Sequence, residues 1–162
     1  MTPRLLALAL ALALGVSACA TAPGTERLSA GATVDIASAG TQLSARRAGQ
    51  GIVRPLIHAP ALQAAAQAQA DDLAAAERLG HLGAEGSDLS QRLDRAGYDA
   101  CVSAENVARG TPDIRRTVAR WMDSPGHRAN ILDPSVTQFG FAGTGRTWVL
   151  VLARPCARGA PA

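Results

Sequence analysis

Lysine is absent from this chain of 162 residues, and all sixteen cationic side chains are arginine. Aromatic residues make up only 3%. Beside so much alanine, arginine-only usage reads as GC-rich coding rather than a nucleic-acid surface. No basic run is interleaved with aromatics, which excludes nucleic acid as a partner. The formal net charge is +3, too small for a strong electrostatic footprint. The H-E-x-x-H motif of helical zinc proteases is missing. So is G-x-S-x-G, which removes the usual serine-hydrolase elbow. The unbroken apolar run Leu5 to Val16 is too short to span a bilayer comfortably as a permanent helix.

What is present begins with that run. Met1 to Arg4 supplies a positive n-region and Leu5 to Val16 an h-region, the form of an export signal. Val16-Ser17-Ala18-Cys19 follows at once and resembles the lipobox of bacterial lipoproteins, in which the cysteine is lipidated and becomes the new N-terminus. The alternative is ordinary secretory cleavage at Ala18-Cys19-Ala20, an A-x-A pattern. On the lipoprotein reading, residues 1–18 are the signal peptide and Cys19 is the membrane anchor. Removing 18 of the 162 residues leaves 144, enough for one domain with a real core. Ala20 is not the acidic residue that favours inner-membrane retention, so in a two-membrane cell the expected place is the outer membrane, facing the periplasm. Of three cysteines, Cys101 and Cys156 remain as a candidate disulfide in an oxidising compartment. The sharper alternative is a catalytic thiol, which needs a partner and a depressed pKa that the sequence does not display.

Residues 19–31 read as a flexible tether, residues 32–157 as the domain and 158–162 as a tail. A first helix is expected over Val34 to Ala48, with Ile36, Ala39, Leu43 and either Arg47 or Ala48 inward. A second starts at Pro60, buries Leu62, Ala65, Ala66, Gln69, Leu73 and Ala76, and stops at Gly80. That places His81 just past its end. A third is expected near Asp88 to Ala96, capped by Ser87 and stopped by Gly97. Thr111-Pro112-Asp113 opens a fourth, with Thr111 as cap and with Ile114, Val118, Trp121 and Met122 buried. Pro125 and Gly126 are expected to stop it. The period then shifts to two: Phe139 and Phe141, then Trp148, Leu150 and Leu152, form a hairpin around Gly143 to Arg146. Helices first and strands last argue an α+β domain. His58 is expected at the ordinary surface, and Asn106 and Asn130 as loop-fixing amides.

The segments "GHLGAEGSDLSQRLDRAGY", "AENVARG", "WMDSPGHRANIL" and "FGFAGTGRTWVLVLARPC" resemble, in order and spacing, the CAP superfamily. This is the SCP-domain family of cysteine-rich secretory, antigen-five and pathogenesis-related proteins, and the similarity is to its bacterial secreted branch. The resemblance covers roughly Thr33 to Cys156. It implies a three-layer α-β-α sandwich around a small antiparallel sheet. It also implies a cleft in which His81, Glu105 and His127 bind a ligand or hold a divalent cation, zinc or calcium. Gly80 and Ala104 replace the serine and glycine usual in those motifs. Ser124 stands where eukaryotic members carry a further glutamate, so a fourth ligand is missing there, and Glu85 is a candidate oxygen donor in its place.

From the residues alone, two imidazoles and a carboxylate suit a three-ligand zinc site with an open position. Separations of 24 and 22 residues mean that only the fold can assemble it. Each member also has a plainer role. His127 can cap helix carbonyls, which favours an imidazolium, and Glu105 can serve as a paired structural carboxylate. The expectation is a lipid-anchored envelope protein that binds a small hydrophobic ligand, a cation or an envelope component, without turnover. Its alternatives are a metal-dependent hydrolase of peptide or cell-wall material and an interaction module with a vestigial cleft.

Overall fold

The structure is a computed structural model and describes residues 34–156. The expected signal segment, lipidated Cys19, tether and tail lie outside the described residues. Asp35 accepts a hydrogen bond from Ser38 N at 3.0 Å and starts α1 (Ile36–Ala48). Its inward side chains are Ala39, Leu43 and Arg47, one turn apart. Arg47, rather than Ala48, closes the stripe and is 1% exposed. Its guanidinium donates to the carbonyls of Ile131 and Asp133, both at 2.8 Å, tying α1 to a later turn.

A two-residue strand, β1 (Ile57–His58), leads into α2 (Pro60–Ala75). The helix ends five residues before Gly80, and Ala76 is its exposed C-cap rather than part of the buried stripe. Glu77 adopts the left-handed conformation (φ 49°) that glycine usually supplies. Arg78 N donates to Leu73 O and Glu77 N to Ala74 O, the paired bonds of a Schellman ending. His81 therefore sits in a connecting loop, ahead of a short 3₁₀ turn (Ala84–Gly86).

Helix α3 (Leu89–Arg95) is capped by Asp88, not Ser87. Asp88 and Gln91 exchange bonds as a capping box, and Gly97 (φ 72°) closes the helix as expected. Strand β2 (Ala100–Arg109) follows. Asp113, not Thr111, caps α4 (Ile114–Asp123), accepting from Arg116 N at 2.7 Å. An aspartate carboxylate caps a helix at least as well as threonine, so the cap falls on the residue nearer the first apolar turn. Pro125 does stop α4, but it also opens α5 (Pro125–Leu132), with Ser124 as the junction. Proline is as well suited to a first helical turn as it is unfit for a helix interior. The hairpin is β3 (Gln138–Thr144) and β4 (Thr147–Pro155).

The sheet order is β1-β3-β4-β2. The three long strands are antiparallel, and the short edge strand β1 runs parallel to β3, so the sheet is mixed. Alternation along β3 and β4 splits the core into two layers. Phe139, Phe141, Trp148, Leu150 and Leu152 pack with α1, α4 and α5. Ala142, Val149, Val151 and Ala153 pack with α2 and α3. The result is the α-β-α sandwich. Helix α2 lies so close to β3 that a Cβ on Gly140 would meet Leu62 C at 2.2 Å, so only glycine fits there. Gln63 completes the contact: its amide donates to Phe141 O and accepts from Phe141 N, a side-chain substitute for a strand partner. Cys101 and Cys156 form a disulfide between the start of β2 and the end of β4, with a Cα separation of 4.7 Å.

Candidate functional site

The site is built around the outer edge of β2. Glu105 and Val107 are two residues apart and so project from one face of the strand, toward α3. Asn106 projects from the other face, toward α5. Glu105 is 7% exposed overall, and burying a carboxylate there requires a partner. Arg92, from α3, is that partner. Its Nη2 lies 2.6 Å from Glu105 Oε2. Its Nη1 donates to Ser87 O at 2.7 Å and to His81 O at 3.2 Å. One buried guanidinium thus fixes both the Glu105 carboxylate and the backbone of the loop that carries His81.

The second Glu105 oxygen, Oε1, is 3.0 Å from His81 Nδ1. A carboxylate paired with a guanidinium is an acceptor. His81 Nδ1 therefore carries the hydrogen, and Nε2 is left facing outward on a side chain that is 61% exposed. This gives an ordered chain of groups, Arg92 to Glu105 to His81, whose open end is an imidazole nitrogen.

His127 approaches from the other side of the strand. It is the third residue of α5, at the positive end of the helix, and not a cap on carbonyls after α4. Its Nδ1 is 3.0 Å from Ser124 Oγ, and its ring lies 6.5 Å from that of Trp121. Burial, then the charges of His81 and Arg120, hold its imidazole below the usual histidine range. Asn106 Nδ2 donates to His127 O at 3.0 Å. Asn130 Nδ2 donates to Asn106 Oδ1 at 2.9 Å and approaches Glu105 O at 3.4 Å. The two asparagines are thus the fixing amides expected of them, and they lock α5 to the free edge of β2.

A three-ligand cation site needs the carboxylate free for the ion. Here both Glu105 oxygens are engaged and Arg92 has neutralised its charge. Among the described residues no three histidine, cysteine, aspartate or glutamate side chains are grouped to hold a metal ion. The set His81, Glu105 and His127 therefore does not fit zinc or calcium in this arrangement. Glu85 does not complete it: it is exposed, with φ 56°, on the 3₁₀ turn. His58 differs from expectation too. It lies in β1, half-buried, with its ring 5.7 Å from Phe139 and edge-on to it.

Sequence reasoning missed Arg92 and Ser124. The signal for Arg92 was an arginine amid the apolar positions of a short helix, between Leu89 and Leu93. A charge there is either snorkelling or paired. For Ser124 the signal was its place directly before Pro125, three residues ahead of His127.

Comparison with known proteins adds the ancestry. The model of the cysteine-rich secretory protein (CAP) family matches residues 43–145. The YkwD protein of Bacillus subtilis is 29% identical over 107 residues, covering 65% of this chain; the match spans 41% of that protein's length. An extracellular protein containing a SCP domain from Bacillus anthracis superposes with a TM-score of 0.66 at 19% identity, covering 73% of this chain and 41% of that one. An outer surface protein from Borrelia burgdorferi gives a TM-score of 0.66 at 17% identity, covering 77% of this chain and 98% of that one.

Proposed function

The chain belongs to the cysteine-rich secretory protein (CAP) family, and on that premise we propose that it is an exported protein, held at the bacterial envelope by lipid on Cys19, that binds a ligand at His81, Glu105 and His127 without turning it over. The observation that carries the binding role is the Arg92–Glu105–His81 chain. It costs a buried ion pair to maintain, and it ends in an oriented, exposed imidazole. Holding without turnover is supported by the same contacts: a carboxylate with both oxygens engaged and a guanidinium at 2.6 Å is a poor general base. Export and anchoring are supported by the sequence Val16-Ser17-Ala18-Cys19 after the apolar run. Two structural relatives, an extracellular protein and an outer surface protein, support export.

A hydrolytic reading has one observation in its favour, the 3.0 Å approach of Ser124 Oγ to His127 Nδ1, a hydroxyl–imidazole spacing suited to a nucleophile and its base. Intact-mass analysis of the protein isolated from its own envelope tests the proposal. Diacylglycerol on Cys19 is expected, and a free Thr21 start refutes the anchor. Native mass spectrometry should find a co-purifying mass on wild type and none on His81→Ala. The same mass on both proteins refutes the site, and serine-dependent release of product from cell-wall peptides, lost in Ser124→Ala, refutes binding without turnover.

A further inference from the structure

A cavity lies between α2 and α3, with Arg92 in its wall. Its volume is about 210 Å³, and its walls include the methyl groups of Ala64, Ala68 and Ala96 together with Asp72, Arg92 and Arg95. One buried polar atom of its wall is without a partner. Arg92 is 3% exposed, and both its terminal nitrogens are engaged, yet its Nε–H is unpaired. Beside Asp72, but not lining the cavity, Gln69 is 0% exposed and its Oε1 is also unpaired. That oxygen, Asp72 Oδ2 and Ser87 Oγ converge on Gly83: each lies within 2.7–2.9 Å of where a Cβ on that glycine would stand. Unpaired buried donors and acceptors are uncommon in native folds and mark places where a further group completes the hydrogen bonding.

The charged walls of the cavity call for opposite charges. Arg95 is exposed at the rim and, with the Arg92 Nε–H, offers donors to an anionic oxygen. Asp72, whose Oδ2 already accepts from Ala84 N at 2.7 Å, has its remaining acceptor positions to offer a cationic nitrogen. The charge of Arg92 is already balanced by Glu105, so Asp72 and Arg95 leave the walls close to neutral. A simple anion is repelled by Asp72 and a simple cation by Arg95, whereas a dipolar molecule satisfies both. The alanine floor leaves room only for a short aliphatic group. We propose that this cavity is a binding site for a small zwitterion of the α-amino-acid class, its carboxylate on Arg92 and Arg95 and its ammonium on Asp72.

The proposal stands independently of the site at His81 and His127, sharing with it Arg92 and the Ser87 carbonyl that Arg92 holds. The test is a titration of the full chain with L-alanine, following the backbone amides of Ala68, Ser87 and Ala96 by NMR. Two single-charge probes, N-acetyl-L-alanine and L-alaninamide, mimic the two ends of a peptide. Saturable shifts confined to those amides are expected with L-alanine. Both probes should bind about tenfold more weakly or worse, the usual loss for one charge-assisted hydrogen bond. Arg95→Gln, which alters an exposed side chain and leaves the fold intact, should weaken L-alanine by a similar factor. Absence of saturable shifts at about 20 mM alanine, equal binding of either probe, or an unchanged affinity in Arg95→Gln would each overturn it. Equal or tighter binding of one probe would assign the cavity to a peptide end instead.

Discussion

Arg92 Nη2 and Glu105 Oε2 are 2.6 Å apart, and each side chain is 3% exposed. The pair is buried on the α3 face of β2, so removing one partner strands the other charge in a poorly solvated place. Arg92→Met is expected to cost about 3–5 kcal/mol, the range for breaking a buried pair. Replacing both, as Arg92→Met with Glu105→Leu, should recover most of that loss, because no charge is left unpaired. Urea unfolding of the three proteins checks this. An Arg92→Met protein as stable as wild type would show that the pair is hydrated and not buried.

The contact between Glu105 and His81 has a spectroscopic consequence. With its Nδ1 facing the Glu105 carboxylate, His81 should be found as the Nδ1–H tautomer when neutral, against the usual preference for Nε2–H in a free histidine side chain. Long-range ¹H–¹⁵N correlation on the histidine side chains reads this directly. Glu105→Gln offers both a donor and an acceptor and should relax the preference. A wild-type His81 in the Nε2–H form would remove the oriented imidazole from the site.

His127 predicts a dependence on pH. Burial lowers its pKa first, and the neighbouring charges of His81 and Arg120 lower it further. Its folded pKa is therefore below the unfolded value near 6.5. At pH values above 6.5 both states are neutral there and stability is undiminished. As pH falls below 6.5 the unfolded chain takes up the proton first, so stability declines until the folded pKa is passed. His127→Gln should flatten that part of the stability–pH curve and leave stability at neutral pH little changed. A steeper decline in the variant than in wild type would contradict the sign.

The disulfide between Cys101 and Cys156 spans 55 residues of sequence. Thiol titration of unreduced, denatured protein should count neither as free. Replacing both by serine should cost about 2–4 kcal/mol, mainly by freeing the unfolded chain. Strand β2 carries Glu105, and its pairing with β4 starts beside the bridge. Local opening of the Ala100 to Ser103 amides, read by hydrogen exchange, should therefore increase more than opening at Val107.

Much of the fold is written locally in the chain. The apolar stripe on α2, Gly97 after α3 and the period-two pattern of β3 and β4 each follow from backbone and packing rules that act over a few residues. The sandwich was legible through the family motifs, and the disulfide because assigning Cys19 to the lipobox left Cys101 and Cys156 as a pair in an oxidising compartment. Termini were less legible where two residues competed for one role. Asp113 displaced Thr111, Asp88 displaced Ser87, and Glu77 took a left-handed position that the sequence offered to Gly80. Pro125 is a stop for one helix and a start for another, and only the packing of Ile131 in the core decides that α5 continues.

The site belongs almost wholly to the tertiary structure. The sequence supplied His81, Glu105 and His127 as candidates but not their state, because the state depends on what stands opposite each one. Arg92 is thirteen residues from Glu105 along the chain and meets it only when α3 packs on β2. That contact turns a candidate metal ligand into a neutralised, oriented carboxylate. Short-range rules fix which segments are helix or strand, while charge pairing between segments depends on distances that the folded sheet alone sets.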